Sequence, residues 1–303
     1  MAEDRADLDP DPSPAAYPDC PVVDAHVHVL ETPLLSAIVE WFDRETAWQL
    51  PAPAVETLIE RVVDRTDGFV FFPYAHKPGV AGEMNASAAA WQRRLADADV
   101  AVVGLGTVHA GDNDPGAVVE DAFDRGLQGI KLHCPVQEFP PDDARLDPVY
   151  ERLVSADLPL VIHASSHPFY RDSTILGPDR MARVLERFPA LRVCVPHFGL
   201  FETEGFLALA EEYTVYLDTA VSTGARTHET IALREGEFDP ERLRACSDRV
   251  MFGTDYPLRP LPVEVELRGT RVTFPDATAD VFYRNAVEFF GLDLDELASD
   301  SGQ

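Results

Sequence analysis

Short apolar segments rich in β-branched residues recur along the chain from Pro21 onward, and longer segments with helical spacing of apolar residues lie between them. There are eight, and they are VVDAHVHV from residue 22, FVFFPY from 69, VAVVGLGTV from 100, GIKLH from 129, LPLVIHA from 158, LRVCVPH from 191, TVYLD from 214 and RVMFGTD from 249. Strands that alternate with helices are typical of a parallel sheet covered by helices. Eight such units in roughly 270 residues predict an α/β protein, a (β/α)8 TIM barrel in a single domain.

Helices are predicted between these strands at 81–98, 115–125, 148–156, 178–188, 201–212 and 276–290. The alternative architecture is an open doubly wound sheet, which needs a phosphate- or dinucleotide-binding loop after its first strand. The nearest match, Gly104-Leu105-Gly106, lacks the third glycine of such a loop, and no GxxxxGK[ST] segment occurs. We therefore prefer the barrel, with long loops at about 31–68 and 220–247 that would shape a substrate pocket.

The two ends of the chain differ from the rest in composition. Residues 1–19 contain four prolines and few large apolar side chains, so they cannot bury enough surface to offset their chain entropy. We expect a disordered acidic tail over 1–19, the barrel over 20–293 and a short acidic C-terminal tail over 294–303.

The charge balance excludes some classes of partner. With 25 basic and 53 acidic side chains the formal net charge is −28, and Lys77 and Lys131 are the only lysines. A surface of this sign repels phosphate groups, which argues against binding to nucleic acids or anionic membranes. Like charges at this density destabilise a compact chain unless salt screens them, so we expect a halophilic protein in a salt-rich cytoplasm.

Cysteine spacing and the N-terminal composition bear on the cellular compartment. Four cysteines lie far apart and form no CxxC pair, which is typical of reduced thiols in a cytoplasmic protein. The chain has neither the pattern of a secretory signal nor an apolar run long enough to cross a membrane. We expect a soluble cytoplasmic protein that acts on a small molecule. A homodimer is the default expectation for its assembly, because homodimers are the commonest oligomers of soluble enzymes.

Four of the nine histidines lie at or near the last residues of predicted strands. His26 and His28 are two residues apart in the first strand, so both side chains point to one face and can bind one ion. His163 and His197 end the fifth and sixth strands, and Asp255 ends the eighth, which lies beside the first once the barrel closes. Three histidines and one aspartate suit Zn²⁺, with Mn²⁺, Fe²⁺ or Co²⁺ as alternatives.

The other histidines have weaker claims to this site. Taken singly, His109 and His133 are best interpreted as hydrogen-bonded core residues. His76, His167 and His228 lie in predicted loops, where a solvated side chain is the common case.

Seven motifs extend between Pro21 and Leu292, namely VVDAHVH, GIKLHCPVQEF, LPLVIHAS, RFPALRVCVPHFG, VYLDTA, RVMFGTDYP and YRNAVEFFGL. Together they resemble the amidohydrolase superfamily, specifically its amidohydrolase-2 branch of metal-dependent TIM-barrel hydrolases and decarboxylases. The resemblance implies that His26, His28, His163 and Asp255 bind a single catalytic divalent metal. For His197 it implies a role as electrophile, proton carrier or additional ligand.

Lys131 is a further candidate because this chain has almost no other lysine. In some binuclear relatives a lysine at the end of the fourth strand is carboxylated and bridges two metals. Lys131 shares strand parity with His133, so both can face the barrel interior. The alternatives for Lys131 are an ion pair with a barrel acid such as Asp24 or a substrate-binding ammonium. We include Lys131 and His133 as possible additional ligands or substrate contacts, without assigning a carbamate.

Such a site can support two reactions. In hydrolysis of a small amide, lactone or ester, Asp255 would take a proton from water and pass it to the leaving group, while His197 would help stabilise the oxyanion. The alternative is a lyase, a metal-dependent non-oxidative decarboxylase or hydratase of an aromatic or unsaturated carboxylic acid. Arg171 is a candidate to hold such an acid. We expect the hydrolase.

Two alternatives to a metal-dependent enzyme are disfavoured. A barrel kept only as a binding scaffold would not need intact ligand residues on four strands. A nucleophile at Cys134, Ser165 or Ser166 has no base and orienting acid at recognisable spacing, and no GxSxG segment occurs.

Overall fold

Nine parallel strands form the centre of the protein in a computed structural model, which describes residues 8–96, 98–166, 169, 174–224 and 239–294. They are β1 (Val23–Val27), β2 (Gly68–Phe71), β3 (Ala101–Gly104), β4 (Gly106–Thr107), β5 (Ile130–His133), β6 (Leu160–His163), β7 (Val193–Val195), β8 (Val215–Asp218) and β9 (Val250–Met251). β3 pairs with β2 and β4 pairs with β5, so these two short strands are halves of one barrel strand joined at Leu105. The predicted (β/α)8 barrel is confirmed.

The barrel closes between its last and first strands, at a boundary formed by residues 25–28 and 252–256 that we call the seam. β9 is only two residues long. Beyond it, main-chain hydrogen bonds of 2.8 to 2.9 Å cross the seam from Ala25 N to Phe252 O, from Asp255 N to His26 O and from His28 N to Tyr256 O. These bonds bring Asp255 beside the two histidines of the first strand.

An irregularity in β1 turns its histidines inward. The pairing of β1 with β2 shifts register between Asp24 and Val27, which adds one residue to β1 relative to its neighbour. Ala25 belongs to the apolar cluster inside the barrel, whereas Val27 packs in the outer layer with the helices. The side chains of His26 and His28 therefore point into the barrel mouth.

Helices cover the outside of the barrel and bury one apolar face each against the strands. They are α1 (Thr32–Glu45), α2 (Val55–Arg65), α3 (Ala81–Leu95), α4 (Pro115–Asp124), α5 (Cys134–Gln137), α6 (Asp147–Ala156), α7 (Pro178–Arg187), α8 (Thr203–Glu212), α9 (Pro240–Ala245), α10 (Val263–Thr273) and α11 (Asn285–Phe290), the last preceded by a π-helical turn at Asp280–Arg284. Among the described residues, no helix combines the length and the apolar character needed to span a bilayer.

The segment at 31–68, predicted as a long loop, contains α1 and α2 instead. In α1 the side chains of Leu35 and Val39 are buried in the core, while Leu34, Ile38 and Trp41 face a cavity at the barrel mouth. With apolar residues on both sides, the helix lacks the single apolar stripe by which an amphipathic helix is identified from sequence.

The prediction of disorder over 1–19 is wrong for residues 8–19, which are ordered against the barrel. The carboxylate of Asp9 is buried between Arg65 and Arg259, at 2.6 and 2.9 Å. Ala16 is fully buried in an apolar cluster with Val22 and Phe252. The ion pairs of Asp9 and its hydrogen bond from the Val263 N–H fix the position of this segment, although its apolar content is low. Residues 1–7, and the predicted C-terminal tail beyond residue 294, lie outside the described residues.

Candidate active site

A cavity of about 360 Å³ opens at the end of the barrel where the strands have their carboxyl ends. Its floor is polar and consists of His26, His28, Lys131, His133, His163, His197 and Asp255. Its walls are mainly apolar and consist of Leu30, Leu34, Ala37, Ile38, Trp41, Phe42, Trp48, Tyr74, Val136, Phe169 and Leu258. All the residues predicted for the site thus line one cavity, which has the size and the character of a small-molecule pocket.

The shortest contacts of the floor join His26, His28 and Asp255. Asp255 Oδ1 lies 3.2 Å from His26 Nε2 and 2.9 Å from His28 Nε2, and the two Nε2 atoms are 3.3 Å apart. Within the described part of the chain, these three residues form one of two groups whose ligand atoms all lie within 4.8 Å of one another. The other group joins His26 to His197 and Asp218.

The Nδ1 atoms of His26 and His28 face away from the cavity, and their hydrogen bonds determine which ring nitrogen is left to bind a metal. His26 Nδ1 lies 2.8 Å from Asp218 Oδ2, and His28 Nδ1 lies 3.2 Å from Phe72 O. Both partners are acceptors, so each Nδ1 donates and each neutral ring directs the lone pair of Nε2 toward Asp255 Oδ1. Three electron-pair donors that face one another at this distance repel unless a cation lies among them. The donor set therefore fits a divalent metal.

Protonation of the floor is consistent with that fit. Burial lowers the pKa of His28 to about 4, against the opposing attraction of Asp255, so His28 is neutral at neutral pH. Burial also opposes ionisation of Asp255, yet His26 and His28 hold the pKa of this carboxyl well below its usual range. For His26 the Asp218 carboxylate outweighs burial and raises the pKa. A proton on His26 would compete with a metal, which makes binding pH-dependent.

Asp218 is the residue that sequence reasoning missed. It ends β8 with no exposed side-chain surface. Besides the bond to His26 Nδ1, its Oδ1 accepts hydrogen bonds from the backbone N–H groups of His197 and Ala220, at 2.9 and 3.1 Å. A carboxylate bonded to the outer nitrogen of a metal-binding histidine fixes the ring and raises its basicity. The available signal was an acid at a strand end, in VYLD.

Three further histidines extend the floor away from His28. His197 lies with its ring centre 5.1 Å from that of His26 and 5.1 Å from that of His163. Strand pairing places His133 opposite His163, and their rings stack at 4.4 Å. His197 Nδ1 lies 2.9 Å from Ala220 O and donates to it, which leaves Nε2 as the acceptor. His163 shares the cavity but belongs to neither group of close donor atoms.

Lys131 lies on the cavity floor, as its strand parity predicts. Its Nζ lies 4.6 Å from the centre of the Phe72 ring. Burial lowers the pKa of this ammonium to about 8, although Asp218 and Asp255 oppose the shift. Asp24, an alternative ion-pair partner of Lys131, instead accepts hydrogen bonds from the hydroxyl and the backbone N–H of Thr254.

Two of the floor residues have a left-handed backbone, His197 with φ of 61° and Asp255 with φ of 63°. Such conformations are unfavourable for residues with a Cβ, by roughly 1 to 3 kcal/mol each. They persist only where the surrounding contacts determine them, and they aim both side chains into the cavity.

Four other histidines and Arg171 were candidates from the sequence. His76 is exposed at the cavity rim. His109 does not line the cavity and accepts a hydrogen bond from the Gly111 N–H at 2.9 Å. His167, Arg171 and His228 lie outside the described residues.

Comparison with solved structures identifies the same barrel in other proteins. An uncharacterised TIM-barrel protein from Bordetella bronchiseptica is 20% identical, with a TM-score of 0.67 over 93% of this chain and 99% of that one. A 5-carboxyvanillate decarboxylase from Novosphingobium aromaticivorans, solved with bound manganese, is 16% identical, with a TM-score of 0.60 over 93% and 100%. A dihydroorotase from Campylobacter jejuni is 16% identical, with a TM-score of 0.54 over 90% and 83%.

At these identities the structural matches establish the fold alone. No curated protein sequence matches the chain. The sequence profile described as amidohydrolase, however, matches residues 23–292, which include every floor residue of the cavity. The chain therefore belongs to the amidohydrolase-2 branch of the amidohydrolase superfamily, whose members are metal-dependent hydrolases and decarboxylases.

Proposed function

We propose that the protein is a metal-dependent hydrolase that cleaves a small, largely apolar amide, lactone or ester. The observation that carries this proposal is the convergence of His26 Nε2, His28 Nε2 and Asp255 Oδ1 at the floor of an apolar-walled cavity. Those three residues and His163 would hold a single divalent metal, which we propose to be zinc. When bound, a divalent cation supplies Lewis acidity, which acidifies water and polarises a carbonyl oxygen.

The residues around this position have separate tasks in hydrolysis. Asp255 is ionised because its pKa is well below the usual range, so it can accept a proton from the attacking water and return it to the leaving group. His197 points an acceptor nitrogen into the cavity, and burial lowers its pKa. It would donate to the developing oxyanion only after taking up a proton during the reaction. Lys131, half protonated at about pH 8, can donate to a substrate oxygen. The apolar walls would exclude water from the reacting atoms.

A second candidate is non-oxidative decarboxylation of an aromatic acid, and the aromatic walls of the cavity favour it. Trp48 and Phe169 meet edge to face at 5.2 Å between ring centres, and Phe42 stacks on Trp48 at 5.8 Å. Such walls suit a planar ring. The manganese-containing barrel from Novosphingobium aromaticivorans is a decarboxylase. In this reaction a protonated floor residue would deliver a proton to the ring carbon.

Elemental analysis of the protein purified in concentrated KCl tests the metal dependence that both reactions require. We expect about one equivalent of zinc per chain, with manganese, iron or cobalt able to replace it. His26→Ala should lose both the metal and turnover because it removes one of three convergent donors. The matched control is His109→Gln, a histidine outside the cavity, which should retain both. A protein that binds none of these metals tightly contradicts the proposal.

A substrate screen separates the two reactions. Lactones, esters, amides and aromatic carboxylates would be supplied in parallel, with acid release and CO₂ release measured for each. Hydrolysis of any of the first three without CO₂ supports the hydrolase. Release of CO₂ from an aromatic acid, with no hydrolysis, would assign the protein to the lyases.

A further inference from the structure

We propose that residues 8–17, which we call the N-terminal strap, position the candidate metal ligand Asp255 by bracing the seam of the barrel, with Asp9 as the positioning residue. The strap lies outside the part of the chain that matches the amidohydrolase family, which begins at residue 23. The inference rests on the proposed function only in taking Asp255 as a ligand.

Asp9 holds the strap to the barrel through charge. Its side chain is 1% exposed, and it accepts hydrogen bonds from Arg65 Nη1 at 2.6 Å, from Arg259 Nη2 at 2.9 Å and from the N–H of Val263 at 3.0 Å. The side chain of Arg259 is fully buried, and that of Arg65 nearly so. Asp9 thus pairs with two guanidinium groups that are shielded from water, and Arg65 has a second, exposed partner in Asp11.

The same two arginines connect Asp9 to the candidate site. The guanidinium carbon of Arg259 lies 5.2 Å from the centre of the Tyr256 ring, and that of Arg65 lies 5.8 Å from it. Tyr256 follows Asp255 directly, and its carbonyl accepts the hydrogen bond from His28 N that crosses the seam. A shift of Asp9 would therefore reach Asp255 through two successive contacts, from Asp9 to an arginine and from that arginine to the Tyr256 ring. The peptide bond between Asp255 and Tyr256 completes the path.

α10 fastens the exposed side of the strap. Three of its residues at helical spacing, Glu264, Arg268 and Arg271, bond to the strap from one face of the helix. Glu264 Oε2 accepts from Ser13 N at 2.9 Å, Arg268 Nη2 donates to Ser13 Oγ at 3.0 Å, and Arg271 Nη1 donates to Ala15 O at 2.9 Å. These three hydrogen bonds hold the strap against α10 in one defined position.

Apolar contacts complete the strap and place it against the last strand. Ala16 is fully buried in a cluster with Phe252, Val263 and Leu267, and Tyr17 packs against that cluster. Phe252 belongs to the seam, where β9 is two residues long and main-chain pairing is sparse. The strap therefore braces the barrel where the first and last strands share one isolated bridge, between Val27 and Tyr256. Removal of the Asp9 charge there takes away the carboxylate that pairs with Arg259 and leaves Arg65 only its exposed partner Asp11.

The test measures the seam and the metal separately. Amide hydrogen exchange by mass spectrometry reports the opening of residues 252–263, and titration of Zn²⁺ into the chelator-treated protein reports the affinity, both well below the melting temperature. For Asp9→Asn we expect exchange over 252–263 to accelerate about 10-fold or more and Zn²⁺ affinity to fall by a similar factor. Asp9→Glu, which restores the charge, should recover part of both.

The matched control is Asp11→Asn. Asp11 also bonds to Arg65, at 2.8 Å, but its side chain is 87% exposed, so both readouts should equal those of the unsubstituted protein. If Asp9→Asn lowers only the melting temperature while exchange and Zn²⁺ affinity stay unchanged, the strap is merely stabilising and the proposal is overturned.

If Asp9→Asn does not fold, Ser13→Ala tests the proposal instead. This substitution removes only the hydrogen bonds of the Ser13 hydroxyl to Glu264 and Arg268 and leaves the buried contacts of Asp9 in place. A smaller change of both readouts in the same direction supports the strap, and no change in either overturns it. The exchange measurement needs no metal. An unsubstituted protein that binds none of Zn²⁺, Mn²⁺, Fe²⁺ and Co²⁺ would therefore refute the proposed function, while the exchange measurement would still test the strap.

Discussion

Asp218 does not line the cavity, yet it contacts two residues that do. It holds His26 through Nδ1 and His197 through the backbone N–H. Both contacts depend on a buried carboxylate whose pKa is lowered, because His26 and His197 outweigh the effect of burial. The tautomer of His26 and the backbone position of His197 therefore depend on one side chain behind them.

Asp218→Asn should weaken metal binding without unfolding the chain, since the amide keeps the volume of the carboxylate. We expect Zn²⁺ affinity and turnover to fall roughly 10- to 100-fold, because the amide is a weaker acceptor and can impose the other tautomer on His26. Titration of Zn²⁺ into the chelator-treated variant measures the effect. An affinity within twofold of the unsubstituted protein would show that Asp218 has no influence on His26.

At this scale the sequence predicts the groups that touch the cavity better than those behind them. His26 and His28 could be found because an HxH pair at a strand end has few structural explanations, and Asp255 because it ends the last strand. Asp218 also ends a strand, but a lone acid has no spacing partner to mark it. Its role follows from a contact between residues 192 positions apart.

Among the elements, α10 has two opposite roles in one helix. Its outer face bonds to the strap, while Glu266 points inward and accepts hydrogen bonds from Gly224 N at 3.0 Å and Thr223 Oγ1 at 3.3 Å. Burial raises the pKa of Glu266 to about 8, although Arg259 opposes the shift. A carboxyl group that stays protonated near neutral pH thus joins α10 to the chain that follows β8.

The raised pKa of Glu266 predicts a loss of stability with rising pH. The unfolded chain releases this proton near pH 4.5 and the folded chain near pH 8. Between these values the folded state binds more protons, so the free energy of unfolding falls as pH rises, on the order of 1 kcal/mol per pH unit. The contribution is complete below pH 4.5 and lost above pH 8.

Glu266→Gln should remove this dependence, because the amide does not titrate. Denaturant unfolding at pH 6, 7, 8 and 9 should show that the variant gains stability relative to the unsubstituted protein as pH rises, with a plateau above pH 8. The control is Glu264→Gln on the outer face of α10, which should shift stability equally at each of these pH values. A constant difference for Glu266→Gln would contradict the assignment.

The elements themselves were predictable where one face meets the core and the other meets solvent. Helices at 81–98, 115–125 and 178–188 were expected, and Ala81–Leu95, Pro115–Asp124 and Pro178–Arg187 are found. α1 was missed because it is apolar toward both the core and the cavity. The extra residue in β1 was also unpredictable, since a bulge is defined by pairing with a distant strand.

For the whole molecule, the net charge of −28 is the dominant property. Some of the acidic side chains are paired on the surface with arginine, as where Arg242 bridges Glu204 and Glu211 at 2.6 and 2.8 Å. The excess of acid over base nevertheless leaves long-range repulsion that local pairs cannot cancel. We propose that the protein is adapted to a salt-rich cytoplasm.

The melting temperature should rise by several degrees between 0.05 and 1 M KCl, because the screening length falls from above 10 Å to about 3 Å over this range. Thermal unfolding at fixed pH in a KCl series measures it. Screening should saturate near 1 M, so a further rise confined to 1–3 M would point to a preferential-exclusion effect instead. A flat curve below 1 M would contradict the adaptation.

The barrel could be predicted as a whole because eight strand segments with intervening helices admit few folds, and the structure confirms it. The ordered structure of residues 8–19 could not be predicted. The composition of a segment shows how much apolar surface it can bury, but not which charged groups elsewhere in the chain it will contact. Asp9 is one of many aspartates near the N-terminus, and its meaning depends on the two guanidinium groups that surround it.

The contact between Asp9 and Arg259 spans 250 residues of chain. At synthesis rates of roughly 5 to 20 residues per second, the ribosome releases Arg259 about 10 to 50 s after Asp9. Until then neither the seam nor the strap can form, and β1 has no last strand to pair with. The strap is therefore fixed only long after it has been made, and a nascent chain of this protein cannot close its barrel until residues 252–256 have left the exit tunnel.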